Sequence, residues 1–328
     1  MDFCLKKMLF EDLSISQSAV QKTMPFSKAN FYRKVAEENI PAVTTPNSSR
    51  RRFSVESCRK VYSIYLEKLP VKEKVNIFYN FKGGTGKTTI CFQIATMLAL
   101  CGFNVLAIDL DPQAHLTNVL RFDENKKYKT AYDFIINGAL VSDCIYPVFE
   151  GLDAIPSDLE LTRIEVPLSQ KTRREETLSK LISPLKDKYD FILIDTNPAI
   201  SNLNVNALFA ADKINIICET HPFSLNGLCI LIEELEKIFC DLQLPLNFSV
   251  IANKFESKTA TAQEVLGILR SDYSKEMMNT VVRKCEDLNL ASKNKAPLIS
   301  FAPSKSPAFE DIVDLFMEFI EPYVNKKV

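Results

Sequence analysis

Apolar residues in this chain fall into two rhythms. Short continuous runs at residues 75–79 (VNIFY), 104–110 (NVLAIDL), 189–195 (YDFILID), 213–218 (KINIIC) and 248–252 (FSVIA) have the length and composition of buried strands. Between and after them, apolar residues return at helical spacing. Ile90, Ile94 and Leu98 follow the first run, and residues 208–212 (LFAAD) close a helix before the fourth. Ile312, Leu315, Phe316 and Phe319 mark a last helix over roughly 309–321. That helix also carries Glu310, Asp311, Asp314, Glu318 and Glu321. Its apolar face is therefore expected to pack on the core, and an anionic membrane would repel it. Strands alternating with helices predict one large α/β domain over residues 71–328.

The first 70 residues follow another pattern. Residues 12–23 (DLSISQSAVQKT) read as a short helix, broken at Pro25. Ser27 then caps a second helix over 28–38, with Phe31 and Val35 facing inward and Lys28, Asn30, Arg33 and Lys34 facing out. A polar, proline-punctuated loop carries Arg50, Arg51 and Arg52 into a third helix over 55–66. Residues 1–70 hold 12 Lys+Arg against 7 Asp+Glu, while 71–328 hold 28 against 34. So basic a piece on a chain of net charge −1 points to an anionic partner. Leu69, Pro70, Val71 and Lys72 form the expected joint between a domain over 1–70 and a domain over 71–328.

Candidate chemistry gathers after the first apolar run, in VNIFYNFKGGTGKTT (75–89). Strand, glycine loop, Lys-Thr and helix is the layout of a phosphate-binding loop. The helix N-terminus there offers unpaired N–H groups and the positive end of a dipole, and glycines let the backbone wrap a polyphosphate. Three of the chain's eight glycines (Gly83, Gly84, Gly86) lie in this one loop. Phe81 stands where the ordinary G-x-x-x-x-G-K-[ST] pattern has its first glycine, and a second lysine, Lys82, precedes the glycine pair. Asp109 and Asp111 end the second run at i, i+2, pointing to the same side, and Asp195 ends the third. The two histidines, His115 and His221, are expected to be bystanders. Nine cysteines stand singly without metal-ligand spacing, and no signal peptide or membrane-length apolar run occurs. The expected location is a reducing cytoplasm.

K-G-G-x-G-K-T-T (82–89) resembles the deviant Walker A loop of the ParA/MinD superfamily of ATPases. D-x-D-P-Q-x-x-x-T (109–117) is similar to that family's second signature, and YDFILID to its Walker B strand. Thr196-Asn197-Pro198 follows where the family usually has Thr/Cys-Pro-Pro. Asn253 matches an adenine-contacting Asn, and residues 152–168 and 279–309 resemble later family segments. Four ordered signatures cover residues 75 to about 320. The resemblance implies a P-loop NTPase fold, α/β, with a mostly parallel sheet flanked by helices. It also implies an ATP-dependent homodimer with two nucleotides at its interface.

In that reading Lys87 holds the β/γ-phosphates, and Gly83, Gly84, Thr85, Gly86 and Thr89 complete the cradle. Mg²⁺ is held through Thr88, Asp109 and Asp195. Asp111 positions the attacking water, and Lys82 reaches the partner's nucleotide as an arginine finger does. Hydrolysis is expected to be slow. Residues 27–61 resemble a MerR-type winged helix-turn-helix, which implies DNA contacts from Lys28, Arg33, Lys34, Arg50, Arg51 and Arg52. Arg283, Lys284, Lys293 and Lys295 match a region that binds DNA without sequence preference in relatives.

The function so implied is plasmid or chromosome partition: ATP-switched, nucleoid-associated DNA binding, ended when a centromere-bound ParB-type partner stimulates hydrolysis, with operon autorepression. A nucleotide-gated repressor without a segregation role is the alternative. A reductase of the nitrogenase iron-protein type shares the loop but needs paired interface cysteines, for which Cys144 and Cys218 offer no signature.

Overall fold

Buried aromatic and branched side chains decide the start of the chain. The structure, a computed structural model, describes residues 8–24, 26–45 and 48–327, with the backbone alone at 44, 45 and 48–50. The expected break at Pro25 and the side chain of Arg50 lie outside the described residues. Strand β1 (Ser14–Ser16) opens the fold, followed by helices α1 (Gln17–Lys22) and α2 (Lys28–Glu37), strands β2 (Val43–Thr45) and β3 (Ser48–Ser54), and helix α3 (Val55–Tyr65). The sequence over 12–23 predicts helix throughout. Its first part is instead a strand, because Ile15 pairs with Phe53 across β1 and β3 and both are fully buried. Ser16, Ser27 and Ser54 cap the three helices by accepting from the N–H groups of Ala19, Asn30 and Ser57. The basic segment expected as a loop is an antiparallel hairpin of β2 and β3.

Strand β4 (Leu66–Lys68) leads into the large sheet. In chain order its strands are β5 (Val75–Tyr79), β6 (Val105–Leu110), β7 (Tyr146–Phe149), β8 (Leu152–Ile155), β9 (Phe191–Thr196), β10 (Lys213–Glu219), β11 (Phe248–Phe255) and β12 (Met277–Arg283). Their spatial order is β12-β11-β10-β5-β9-β6-β8-β7. All pairings are parallel except that of β7 at the edge. Strand β8, which leads into Pro156 and Ser157, is therefore one place in from the edge. Every residue of β5, β6 and β9 is buried, as strands covered on both faces require. Val75, Ile77 and Tyr79 face helices Asn202–Ala210 and Pro222–Asp241, while Phe78 faces the opposite layer.

That opposite layer is built on α4 (Lys87–Leu100), which follows the phosphate loop. Twelve of its fourteen residues are buried, so it is not amphipathic. The last helix, Pro307–Ile320, packs beside it through Ile312, Leu315, Phe316 and Phe319, all buried. After residue 295 the chain makes a one-turn helix, Leu298–Phe301. Gln93 Oε1 accepts from Leu298 N at 2.9 Å there, and the Leu298 carbonyl accepts from Ala302 N, closing a turn instead of a ladder. The chain ends in β13 (Val324–Lys326), antiparallel to β4.

The N-terminal elements share one continuous apolar core with α4 and the last helix. Arg59 of α3 donates to the carbonyls of Ala99 (2.6 Å), Phe103 (3.1 Å) and Gly102 (3.2 Å), covering the C-terminal end of α4. A cation there adds a charged donor to the last carbonyls of the helix and suits its dipole. Arg59→Ala should lower stability by about 1–3 kcal/mol in urea unfolding. Arg59→Lys should recover part of that, because it restores the charge without the planar fork.

Candidate phosphate-loop site

The loop is held open by glycines where no side chain fits. Gly84 and Gly86 have φ of +76° and +99°. A Cβ on Gly86 would also run into the Asn253 amide. On Gly83 a Cβ would meet only Pro198, at 3.8 Å. Phe81, in place of the usual first glycine, packs its ring edge-on to Tyr79 at 5.6 Å and joins the core. Asn80 shapes the turn: its amide donates to Ile217 O and its oxygen accepts from Lys82 N. Thr85 is fully buried, and Thr88 and Thr89 lie half-buried in the first turn of α4. Asn253, expected just past a strand end, lies within β11 beneath the loop and donates to Thr85 O at 2.7 Å.

Lys87 starts α4, is 6% exposed, and donates to Lys82 O at 3.3 Å. Burial lowers the pKa of its ammonium, opposed by Asp195 and Asp111. Thr88 Oγ1 donates to Asp195 Oδ2 at 2.6 Å. Asp195 and Asp109 are register partners on β9 and β6, both essentially fully buried. Asp109 accepts from Asp111 N and from the backbone and hydroxyl of Thr117, at 2.7–3.0 Å. Asp111 accepts from Gln113 N at 2.9 Å. Burial pushes the Asp109 carboxyl up to about 6, against the hydrogen bonds of Thr117 and Asp111. Burial, then the Asp109 charge, raises Asp195 well above the usual carboxylate range.

Asp195 Oδ1 is buried without a partner. A carboxylate oxygen so placed, next to a threonine hydroxyl and a second carboxylate, is a hard-oxygen donor set suited to Mg²⁺. No group of three or more His, Cys, Asp or Glu able to hold an ion unaided occurs among the described residues. Phosphate oxygens would have to complete the coordination.

A family model described as an AAA domain matches residues 73–248. The chromosome-partitioning ATPase Soj of Treponema pallidum is 31% identical, over 70% of this chain and 90% of its own. The cell division protein PomZ of Myxococcus xanthus is 30% identical, over 74% of this chain and 77% of its own. This chain belongs to the ParA-type ATPase family. A putative plasmid partition protein from Borrelia burgdorferi, solved with AMPPNP, superposes with a TM-score of 0.66 at 25% identity, covering 76% of this chain and all of that one.

In this ParA-type chain Lys82 lies at the loop mouth, half exposed. It pairs with Glu219 at 2.5 Å and donates to Ser224 at 3.2 Å. Glu219 also holds Lys254 at 2.9 Å, and Lys254 donates to Gly84 O. Sequence reasoning passed over both. The available signal was an acid ending an apolar strand next to the loop strand. Thr117, the last residue of the second signature, proves to be the main support of Asp109, and Ser157 N donates to its hydroxyl at 2.8 Å.

The basic residues expected at DNA do not share one environment. Lys28 is exposed beside the Tyr32 ring. Arg33 and Lys34 pair with Glu37 of the same helix, and Arg51 is exposed. Arg52 turns inward, donating to Ser14 Oγ at 2.9 Å and Ser300 O at 2.7 Å. Arg283 is bound to Asp311 by two nitrogens, Lys284 pairs with Glu256, and Lys295 lies 3.7 Å from Glu124. Lys293 is exposed.

Both buried carboxyls are raised above their unfolded value of 3.8, so the folded chain keeps protons that the unfolded chain releases. Stability without nucleotide or Mg²⁺ should therefore fall as pH rises from near 4 through about 6 for Asp109, with the Asp195 loss extending higher. Asp195→Asn removes part of this slope. The difference in melting temperature between variant and parent should grow in the variant's favour from pH 5 to pH 8, read by calorimetry in EDTA.

Proposed function

We propose that this chain is a DNA partition ATPase that binds ATP with Mg²⁺ at the phosphate loop, dimerises, and holds DNA until hydrolysis releases it. The observation that carries this reading is the meeting of Lys87 and Thr88 with Asp109, Asp111 and Asp195 at the C-terminal edge of one parallel sheet, with Lys82 at the loop mouth. The named partition proteins among its relatives support it.

In this proposal the backbone of Gly83, Gly84, Thr85 and Gly86 and the hydroxyl of Thr89 cradle the phosphates, and Lys87 neutralises the β- and γ-oxygens. Its desolvated ammonium makes that attraction stronger than in water. Thr88, Asp195 and Asp109 would hold the Mg²⁺, which offsets charge on the β- and γ-phosphates when bound. Cation binding would draw both raised carboxyls into their ionised form. Asp111, fixed through Gln113 N, orients water. Lys82 crosses to the second copy's nucleotide. Asn253 is proposed to brace the loop through its amide nitrogen, which donates to Thr85 O, and to meet the nucleotide with its unpartnered oxygen.

Residues 1–70 are proposed as the sequence-reading unit and 71–328 as the ATPase. The order strand, helix, helix, hairpin, helix suits a winged helix-turn-helix. Lys28, Arg33, Lys34 and Arg51 are its proposed DNA contacts. Arg52 is proposed to hold the hairpin in place. Operon autorepression would use this unit, and a ParB-type partner would stimulate hydrolysis on the nucleoid.

Retention on random DNA should be at least about tenfold greater with ATP and Mg²⁺ than with ADP, and should fall steeply with salt. Lys82→Ala should abolish the difference. Equal retention in all three cases would defeat the switch. In the full chain, combined Lys28→Ala, Arg33→Ala and Arg51→Ala should remove operator binding and spare ATP-dependent binding to random DNA. Loss of random-DNA binding in the same variant would favour a nucleotide-gated repressor.

A further inference from the structure

We infer that Glu219 is a positioning residue that holds Lys82 within its own chain and sets how readily Lys82 crosses to a second copy. This rests on the proposed role of Lys82. Glu219 ends β10, beside the strand that enters the phosphate loop. Its side chain is 17% exposed, and its two oxygens take different lysines: Oε2 takes Lys82 at 2.5 Å, and Oε1 takes Lys254 at 2.9 Å. Ser224, at the start of helix Pro222–Asp241, gives Lys82 a second acceptor at 3.2 Å. Lys254 also donates to Gly84 O, so one carboxylate ties both ends of the glycine turn.

The Glu219 carboxyl shows where the balance lies. Burial alone would raise it, yet the hydrogen bonds and charges of Lys82 and Lys254 together bring it below its ordinary value. Lys82 itself is 49% exposed on a flexible stem, so its contact can be broken without unpacking the core. A lysine cannot serve a carboxylate in one chain and a phosphate in another at once. The contact therefore competes with assembly, and a ligand moves such an equilibrium only by its difference in affinity for the two arrangements. Lys82 would leave Glu219 for the more highly charged triphosphate and return to it once the γ-phosphate is lost.

The test measures the protein concentration at half-dimerisation by sedimentation, in ATP and Mg²⁺. Glu219→Gln should lower that concentration about three- to tenfold, the range of a partly screened ion pair. Glu219→Asp, which keeps the charge on a shorter stem, should restore much of the parental value. Lys254→Gln tests whether any effect of Glu219→Gln comes through the other lysine, and should not reproduce the tightening. In a Lys82→Ala background Glu219→Gln should change nothing, since its effect runs through Lys82. An unchanged or raised concentration in Glu219→Gln would overturn the inference. So would the same tightening with Lys82 already removed, or its reproduction by Lys254→Gln. If Lys82→Ala alone dimerises and hydrolyses ATP as the parent does, the crossing role falls and takes this inference with it. If Lys82→Ala fails to dimerise but Glu219→Gln has no effect, only this inference falls.

Discussion

Two buried carboxylates opposed across neighbouring strands are the constraint on which the rest of the structure depends. Asp109 and Asp195 sit in register on β6 and β9 with almost no solvent contact. Desolvation and mutual repulsion both disfavour their charges. The fold keeps them by surrounding them with donors: Thr88 for one, Thr117 and the Asp111 amide for the other. Lys87 supplies positive charge close by. Each donor is placed by an element that must be rigid. Complete burial of β5, β6 and β9, with α4 enclosed on nearly all sides, holds those elements in place.

Helix α4 carries this constraint to the other end of the molecule. Its first turn holds Lys87 and Thr88, and its last carbonyls are held by Arg59 of α3. The N-terminal elements are thus no bead on a tether. They share the core layer of α4, and the β4–β13 pairing clips the chain's end to the segment that leaves α3. The two ends of α4 are thus held by different parts of the chain, the phosphate loop at one and α3 at the other.

Much of this was legible in the sequence, for identifiable reasons. Strands buried on both faces need unbroken apolar runs, so β5, β6, β9, β10 and β11 were visible. The glycine turn was visible because Gly84 and Gly86 take backbone angles that other residues resist. Elements fixed by distant contacts were not. β1 depends on Phe53, the turn at Leu298–Phe301 on Gln93, and β13 on β4. Asn253 is matched from sequence to an adenine-contacting Asn, but its hydrogen bond to Thr85 belongs to packing between β11 and the loop. The same holds for Glu219, whose meaning comes from two lysines far from it in sequence.

Sequence also shows where charges are but not which ones are free to act. Arg52 and Lys82 look alike on paper as basic residues in functional stretches. Arg52 satisfies the carbonyl of Ser300, as well as Ser14, so moving it would strand a polar group. Arg283 is held likewise, on an Asp311 side chain only 9% exposed. Lys82 and Lys284 are different: their side chains are 49% and 65% exposed, and a single carboxylate holds each most closely. Pairs of that kind contribute little net stability and exchange partners readily. A charge that must serve as a switch belongs in the second class. A guanidinium that must keep two parts of the fold in register belongs in the first, and the hairpin arginine and the loop lysine fall on opposite sides of that divide.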